Sequence, residues 1–307
     1  MGNSSLTSPV LAIGEILWDI LPSEKLLGGA PANFCHRLRQ LGCAARMVSR
    51  VGKDSLGDEL LAGLQALDFD LSLLQVDTQH PTGTVDVVLS ADGNPTFTIN
   101  TDVAYDYLEA SPKLLAAAQA ASLICFGTLV QRSPKTREAL YQILEAAPQA
   151  TKFLDINLRR DCYTAETISE SLLRADILKL NTSEVSTISE LLKLGASTPQ
   201  QLARKVIKDY GVHAVLVTLG ERGVYALNAL GHACTVPGIS VQVVDTIGSG
   251  DSFAAGFVFT YLQGAPLEEC CYFGNLIGAL NATKKGGMPD ISQADLGLFL
   301  GKHTQAA

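Results

Sequence analysis

Residues Asp245–Phe257 read D-T-I-G-S-G-D-S-F-A-A-G-F and follow the apolar run Ile239–Val244. The pattern predicts a strand, a tight turn and a helix that begins near Ser249. Gly248 and Gly250 would allow positive φ angles and a close approach of the backbone to a ligand, and the first free amide groups of the helix would form a concavity suited to an anion. The stretch therefore predicts a phosphate site at the start of a helix.

Asp251 lies inside this predicted anion site, where a carboxylate repels a phosphate unless it takes up a proton or a cation intervenes. We interpret it as a general base beside a phosphate. The alternative is a simple helix cap, the usual role of aspartate at such a position. Two other phosphate-binding patterns do not fit, because Phe253 stands where the dinucleotide fingerprint requires a third glycine and the chain contains no G-x-x-x-x-G-K-[ST] sequence.

The composition is typical of a soluble globular protein that binds small molecules. The 307 residues are 47% hydrophobic and 18% charged, with a net charge of -8. No basic run is longer than a pair such as Lys284-Lys285, so a nucleic-acid partner is not expected. No apolar run approaches the roughly 20 residues that cross a bilayer, and Met1–Pro9 lacks the features of a signal peptide. The seven cysteines form no C-x-x-C pair, which favours buried thiols in the reducing cytoplasm.

A βαβ rhythm runs through residues 1–307 and predicts one domain, built on a mostly parallel sheet with helices on both faces. The first strand is expected in Val10–Ile20, and its polar end at Asp19 would face a site. Further strands are predicted at Arg46–Val51, before Val76, and at Leu123–Phe126, Phe153–Ile156, Ile177–Leu180, Ala214–Thr218 and Val241–Val244. Helices are predicted at 34–41, 54–67, Thr136–Ala147 and Ser183–Leu194.

Residues 82–99 change to the pattern of a β hairpin. Val85, Val87 and Leu89 alternate with other, mostly polar residues, and a turn signal follows at Asp92–Pro95. A hairpin inserted into a βαβ chain indicates a lid, which would exclude water from a reaction site.

Four motifs occur in the order found in the ribokinase-like sugar kinases of the phosphofructokinase B type. They are G-G-x-x-x-N at Gly28–Asn33, D-x-N-x-R at Asp155–Arg159, N-x-x-E at Asn181–Glu184 and D-T-x-G-x-G-D at Asp245–Asp251. The chain resembles this family over nearly its whole length, and bacterial fructokinases most of all. The resemblance implies a ribokinase-like α/β fold with a small β lid, formed by about residues 17–30 and 81–106.

The resemblance also implies roles for individual residues. Asp251 would accept the proton of the sugar hydroxyl, and the backbone amides of Gly248, Ser249 and Gly250 would stabilise the transferred phosphoryl group. Ser249 replaces the commoner alanine, a harmless change if only its amide is used. The sugar hydroxyl groups would be held by Asp19, Gly28, Gly29, Asn33, Asn157 and Arg159.

ATP and Mg²⁺ are the implied cofactors, with a monovalent cation such as K⁺ as a further candidate. Asn181 and Glu184 carry oxygen atoms that suit Mg²⁺, directly or through water. Gly286-Gly287 resembles the neighbourhood of the adenine and the monovalent cation. The nucleotide would contact Asn181, Thr218, Gly220, Gly223, Thr246, Gly248, Gly250 and Asn275.

Each motif also has an ordinary structural interpretation. Asn33 and Asn181–Glu184 fit helix starts. Arg159 could pair with Asp155 or Asp161, and Val217–Gly223, which resembles the family's nucleotide-contacting turn, could be a bare β turn. Only the occurrence of four motifs in the family's order favours a site.

The combined motifs predict an ATP-dependent kinase that phosphorylates a sugar hydroxymethyl group, fructose in the first place. Many fructokinases place an arginine after the lid hairpin, whereas Ile99–Tyr105 contains none. Alternatives are 2-keto-3-deoxygluconate, another neutral sugar or a nucleoside. A non-catalytic paralogue that binds a sugar or a nucleotide is a different class of answer, and the missing fingerprint disfavours a nicotinamide-dependent oxidoreductase. The lid edge could also join two subunits into a homodimer.

Overall fold

A nine-stranded sheet forms the centre of the fold in the computed structural model, which describes residues 9–89 and 95–303. Its middle strands are short apolar runs, because a strand covered on both faces must be apolar throughout. The strands are β1 (Val10–Ile13), β2 (Leu17–Ile20), β3 (Lys25–Gly28), β4 (Ala45–Gly52), β5 (Leu74–Asp77), β6 (Thr84–Leu89), β7 (Pro95–Ile99), β8 (Leu123–Phe126), β9 (Thr151–Asp155), β10 (Ile177–Asn181), β11 (Ala214–Thr218), β12 (Val224–Asn228) and β13 (Ala233–Val236).

The order of strands in the large sheet is β13-β12-β11-β10-β9-β8-β1-β4-β5. Seven of these strands run parallel, and only β12 and β13 at one edge pair in an antiparallel way. The predicted mostly parallel sheet is therefore confirmed. Ligands bind such sheets at the carboxyl ends of the strands.

Helices cover both faces of the large sheet, as predicted. Successive side chains of a strand point to opposite faces, and those of β1 enter two different apolar clusters: Leu11 and Ile13 lie in one, Val10 and Ala12 in the other. None of the helices in the described part of the chain is long and apolar enough to span a membrane. The helices are α1 (Ala30–Gln40), α2 (Ser55–Ala66), α3 (Pro112–Gln119), α4 (Pro134–Glu145), α5 (Ala165–Arg174), α6 (Thr182–Leu191), α7 (Pro199–Tyr210), α8 (Ser249–Tyr261), α9 (Leu267–Ala282) and α10 (Gln293–His303).

Two predicted strands are wrong. Val10–Ile20 is not one strand, because the chain turns at Gly14-Glu15 and its second part joins another sheet as β2. Val241–Val244, within the longer run Ile239–Val244, forms no strand, and Val243 and Val244 are 58% and 63% exposed. The Val244 amide donates instead to the Ala282 carbonyl oxygen at the end of α9, at 2.8 Å.

A second, four-stranded sheet has the order β3-β2-β6-β7. The predicted hairpin is present, since β6 and β7 pair antiparallel, while β2 pairs parallel with β6. The predicted turn at Asp92–Pro95 lies outside the described residues except for Pro95. These strands fall within about residues 17–30 and 81–106, and the division of the chain into one domain with that lid stays a prediction.

Arg132 ties the segment after β7 to the large sheet. Its guanidinium group donates to both carboxylate oxygens of Asp106 at 2.9 Å, to the carbonyl oxygen of Asn100 at 2.7 Å and to the Tyr105 hydroxyl at 3.2 Å. Asp106 is buried. The two-pronged geometry matches arginine to carboxylate and fixes the base of the small sheet.

Replacing Arg132 with methionine should lower the free energy of unfolding by about 3–5 kcal/mol, because Asp106 would stay buried without its cation. Urea unfolding followed by circular dichroism measures the change. Arg46→Met is the matched control: Arg46 lies 3.0 Å from Asp70, but the two side chains are 41% and 33% exposed. Its loss should stay below about 1 kcal/mol, and equal losses in the two variants would contradict the role given to Arg132.

Candidate active site

The first turn of α8 faces the first turn of α1 near the carboxyl ends of β9 and β10. Gly248 precedes α8 with a φ of 72°, a left-handed conformation that glycine adopts without strain. A methyl group at Gly248 would lie 2.6 Å from the Gly287 Cα atom, so the two backbones touch. The predicted tight turn before the helix is present, and the Ser249 amide donates within it to the Thr246 carbonyl oxygen at 3.2 Å.

Asp251 stands on the inner side of this turn as a partly buried carboxyl group. Asn33 Nδ2 donates a hydrogen bond to Asp251 Oδ2 at 2.8 Å. The pKa of Asp251 is raised to about 6, first by burial and then by the negative charge of Asp155. The charges of Lys179 and Arg159 and the bond from Asn33 oppose this shift. A carboxyl group with this pKa is mostly ionised at neutral pH and can still take up a proton.

Asn33 has a second polar atom that is free to bind. Its Oδ1 atom is buried and accepts no hydrogen bond from any described residue. A buried acceptor without a donor is unfavourable unless a ligand or water supplies one. The helix-start interpretation of Asn33 does not account for this geometry, because the side chain is directed toward Asp251 and not toward the backbone of α1.

Asp19 and Gly28 form the neighbouring wall of the site. They face each other across β2 and β3, and a methyl group at Gly28 would lie 2.5 Å from Asp19 Oδ2. Gly29 has a φ of 113° and packs against the Glu15 carbonyl oxygen. Burial raises the pKa of Asp19, and Arg159 acts in the opposite direction. The structure therefore brings Asp19, Gly28 and Gly29 together at β2 and β3 of the small sheet, whereas Asn33 lies on α1.

Arg159 forms no ion pair with Asp155 or Asp161 in residues 9–89 and 95–303, which removes its ordinary structural explanation. Its charge instead acts on Glu15, Asp19 and Asp251. Asn157, two residues earlier, has a φ of 37°. It lines a cavity of about 20 Å³, room for one water molecule, together with Glu15 and Asp155.

Asn181 and Glu184 form a reciprocal cap at the start of α6. Asn181 Oδ1 accepts from the Glu184 amide at 3.1 Å, and Glu184 Oε2 accepts from the Asn181 amide at 2.7 Å. Glu184 Oε1 also accepts from the Leu158 amide at 2.8 Å. The ordinary helix-start interpretation is thus present in the structure.

Glu184 can also serve a hydrated cation, whereas Asn181 Oδ1 already accepts from the Glu184 amide and, at 2.6 Å, from the Ser183 hydroxyl. Each carboxylate oxygen of Glu184 keeps a lone pair beyond the amide that it binds, so it can accept from a metal-bound water. In the described part of the chain, no group of three or more His, Cys, Asp or Glu side chains could hold a metal ion directly. The donor set therefore fits Mg²⁺ that retains its waters, not a fully protein-ligated ion.

The predicted nucleotide-binding residues lie along β11 and the segments beside it. Thr218 ends β11, and Gly220 and Gly223 flank the turn that follows. Asn275 is buried on α9 and donates to the carbonyl oxygens of Val236 and Pro237 at 3.2 and 2.9 Å. Its amide donors are thus engaged with the backbone.

Loop residues link the predicted nucleotide-binding residues to the turn before α8. Thr246 is exposed in that turn, and Asp245 accepts from the Gly286 amide at 2.9 Å. Gly286-Gly287 is therefore held against the segment that carries Gly248. In the described structure, no hydrogen bond joins Thr218 or Asn275 to Asp251.

Most of the chain matches the model of one protein family. Residues 23–294 match the model described as pfkB family carbohydrate kinase. The chain belongs to this family. The match spans the four motifs and confirms the resemblance on which their assignment depends.

Two PfkB relatives have similar lengths to this chain. Fructokinase-1 of Oryza sativa subsp. japonica is 29% identical over 311 residues, which cover 92% of this chain and 94% of the relative. Aminoimidazole riboside kinase of Salmonella typhimurium (strain LT2) is 29% identical over 315 residues, which cover 97% of this chain and 96% of the relative. The chain thus spans nearly the full length of both proteins.

Two solved structures confirm the ribokinase-like fold. Fructokinase with bound ATP from Xylella fastidiosa superposes with a TM-score of 0.86 at 22% identity, covering 97% of this chain and 100% of that chain. A fructokinase double mutant from Vibrio cholerae O395 with bound fructose, ADP and potassium ion has a TM-score of 0.81 at 24% identity, covering 96% of this chain and 98% of that chain. At this identity the likeness establishes the fold alone.

The motifs gave no role in the site to three charged residues that act on Asp251, namely Lys179, Asp155 and Glu15. Lys179 and Asp155 form a buried ion pair with a shortest distance of 2.8 Å. Glu15 is buried, its pKa is raised to about 7 by burial, and its Oε1 accepts from the Ala30 amide at 3.2 Å. The sequence did carry a feature that could have identified them. Each is a charged residue inside or just after an otherwise apolar strand, and such a residue is rare without a partner or a function.

Proposed function

We propose that this PfkB kinase is an ATP-dependent fructokinase, which transfers the γ-phosphoryl group of ATP to a hydroxymethyl group of fructose. The observation that carries the proposal is Asp251, a carboxyl group with a pKa of about 6 at the start of α8, directed by Asn33. Support for fructose comes from Fructokinase-1 of Oryza sativa and from the fold shared with the two bacterial fructokinases.

In this proposal Asp251 accepts the proton of the attacking hydroxyl group. Asn33 Nδ2 holds the carboxylate in place, and the free Asn33 Oδ1 accepts a hydrogen bond from a second sugar hydroxyl. The backbone amides of Gly248 and Gly250 at the helix start stabilise the negative charge of the transferred group. The Ser249 amide contributes less, because it is shared with Thr246.

Glu184 is the residue that would hold Mg²⁺ through its waters, and Asn181 fixes Glu184 through their reciprocal hydrogen bonds. The ion supplies neutralisation of the phosphate charge when it is bound. Glu184 also accepts from the Leu158 amide, so the metal side of the site is joined to the segment that carries Asn157 and Arg159. A monovalent cation such as K⁺ near Gly286-Gly287 stays a prediction.

A neutral sugar suits the charges around Asp19 better than a phosphorylated or acidic one. Arg159 acts on three carboxyl groups, Glu15, Asp19 and Asp251, whose own negative charge would oppose the binding of an anionic sugar beside it. Arg132, the other guanidinium group near the small sheet, is bound by Asp106. A sugar phosphate or carboxylate needs an uncompensated cation, which disfavours 2-keto-3-deoxygluconate.

Sugar-dependent ADP formation with Mg-ATP tests the proposal. The panel is fructose, ribose, glucose, 2-keto-3-deoxygluconate, aminoimidazole riboside and fructose 1-phosphate. We expect the highest kcat/KM with fructose. A higher kcat/KM with another sugar would discard fructose and keep the kinase, whereas ATP binding without ADP formation from any sugar would favour a non-catalytic paralogue. Homodimer formation through the small sheet and cytoplasmic location stay predictions.

A further inference from the structure

Lys179 is a charged residue in the middle of a buried strand. It lies on β10 opposite Asp155 of β9, and the register of these parallel strands pairs the two residues directly. Lys179 Nζ lies 3.1 and 2.8 Å from the two carboxylate oxygens of Asp155. The two side chains are 8% and 12% exposed. A buried ion pair of this kind is often no more stable than an apolar pair of the same size, so stability alone does not explain its presence.

The ammonium group of Lys179 lies directly under the turn that begins α8. A methyl group placed on Gly250 would be 3.2 Å from Lys179 Nζ. Asp251 is the next residue, and the charges of Lys179 and Asp251 act on each other. The ion pair is therefore built into the floor of the site that holds the proposed base.

The charged and polar groups that face Asp251 come from every element packed around it. Asn33 faces it from α1, Cys125 from β8, Asp155 from β9, Lys179 from β10, Arg159 from the segment after β9 and Glu15 from the turn after β1. Arg159 is exposed, so solvent screens its charge, whereas Lys179 is buried. Lys179 is thus the cation with the strongest hold on the ionisation of Asp251.

We propose that Lys179 is a positioning residue for the base: its ammonium group, fixed by Asp155 beneath the Gly248–Gly250 turn, keeps the Asp251 carboxyl group ionised at neutral pH. The inference rests on the proposed function for the role of Asp251 as the proton acceptor. Asp155 holds the ammonium group and at the same time opposes the ionisation of Asp251, so the two members of the pair should act on the base in opposite directions.

The pH dependence of kcat/KM separates this role from a structural one. Asp251 must be ionised to accept a proton, so the wild-type value should fall as the pH drops below about 6. Lys179→Met removes a nearby positive charge, raises the pKa of Asp251 and should move the acidic limb upward by on the order of one pH unit. Lys179→Arg keeps the charge and should return the limb toward its wild-type position.

A substitution of Asp155 tests the same inference with the opposite expected shift. Asp155→Asn removes a negative charge and should move the acidic limb downward. The double variant Lys179→Met/Asp155→Asn leaves no unpaired buried charge, so it should fold even if Lys179→Met does not, and its acidic limb should lie between those of the two single variants. Lys152→Met also removes a lysine from the large sheet and should leave the acidic limb in place.

A titration that needs no turnover completes the test. The carboxyl carbon of Asp251 is followed by ¹³C NMR in aspartate-labelled protein from about pH 4 to about pH 9, and its signal is assigned by its loss in Asp251→Asn. We expect the midpoint to rise in Lys179→Met and to fall in Asp155→Asn. Midpoints that stay at the wild-type value, or move in the same direction, would overturn the inference. Because the titration uses no sugar, it decides the role of Lys179 even if no sugar of the panel is phosphorylated, a result that would refute only the proposed function.

Discussion

Asp251→Asn should lose about 100-fold or more of its turnover while the protein folds as before. Asparagine has nearly the same shape as aspartate but cannot accept the proton of the sugar hydroxyl. Its amide oxygen can still accept the hydrogen bond that Asn33 Nδ2 donates at 2.8 Å in the wild-type protein. Burial already disfavours the charged form of Asp251, so removing the negative charge should not weaken the fold.

ADP formation at saturating sugar and Mg-ATP measures this loss, and circular dichroism with urea unfolding checks the fold. Asp58→Asn is the matched control, because Asp58 also occupies the first turn of a helix, α2, but is exposed. We expect its turnover to equal that of the wild-type protein. Near wild-type turnover in Asp251→Asn would remove Asp251 from the mechanism and leave it as a residue of the helix start.

Gly248→Ala should also lose on the order of 100-fold in turnover, through the backbone. At the observed φ of 72° an alanine is strained by about 1–2 kcal/mol. Its methyl group would also lie 2.6 Å from the Cα atom and 2.8 Å from the carbonyl oxygen of Gly287. Both contacts are to backbone atoms, so the turn or the Gly286-Gly287 loop must shift. Either shift misplaces amide donors, and losing one such donor typically lowers the rate by about 10²–10³-fold.

Gly264→Ala separates the strain from the collision. Gly264 has a similar φ of 79° shortly after the end of the same helix, but a methyl group there has no neighbour within 4 Å. We expect the free energy of unfolding of this variant to fall by about 1–2 kcal/mol and its turnover to stay at the wild-type value. If the two variants lost turnover equally, the contact with Gly287 would have no part in the effect.

Local patterns predicted most of the fold, because parallel strands and their helices are encoded within short windows of sequence. Leu123–Phe126 and Ala214–Thr218 are strands with the predicted bounds. The failure at Val241–Val244 has a different origin: an apolar run becomes a strand only if it pairs with another strand, and here the Val244 amide donates to the end of α9. Such dependence on distant segments leaves no trace in the run itself.

The site could be predicted where its residues form continuous motifs and not where it depends on contacts across strands. Asn33 and Asp251 belong to two motifs that the sequence revealed, and the structure joins them by a hydrogen bond. The pairing of Lys179 with Asp155 follows from the register of β9 and β10. Register is set by the assembled sheet, so sequence spacing could not indicate it.

The hydrogen bond between Asn33 and Asp251 joins residues that are 218 positions apart in the chain. During synthesis the N-terminal part leaves the ribosome well before the segment that carries Asp251, at roughly 5–20 residues per second. A nascent chain that already displays Asn33 and the small sheet therefore lacks Asp251, the proposed proton acceptor. Competence for phosphoryl transfer arises only when the last quarter of the polypeptide docks, so any prematurely terminated product is inert by construction.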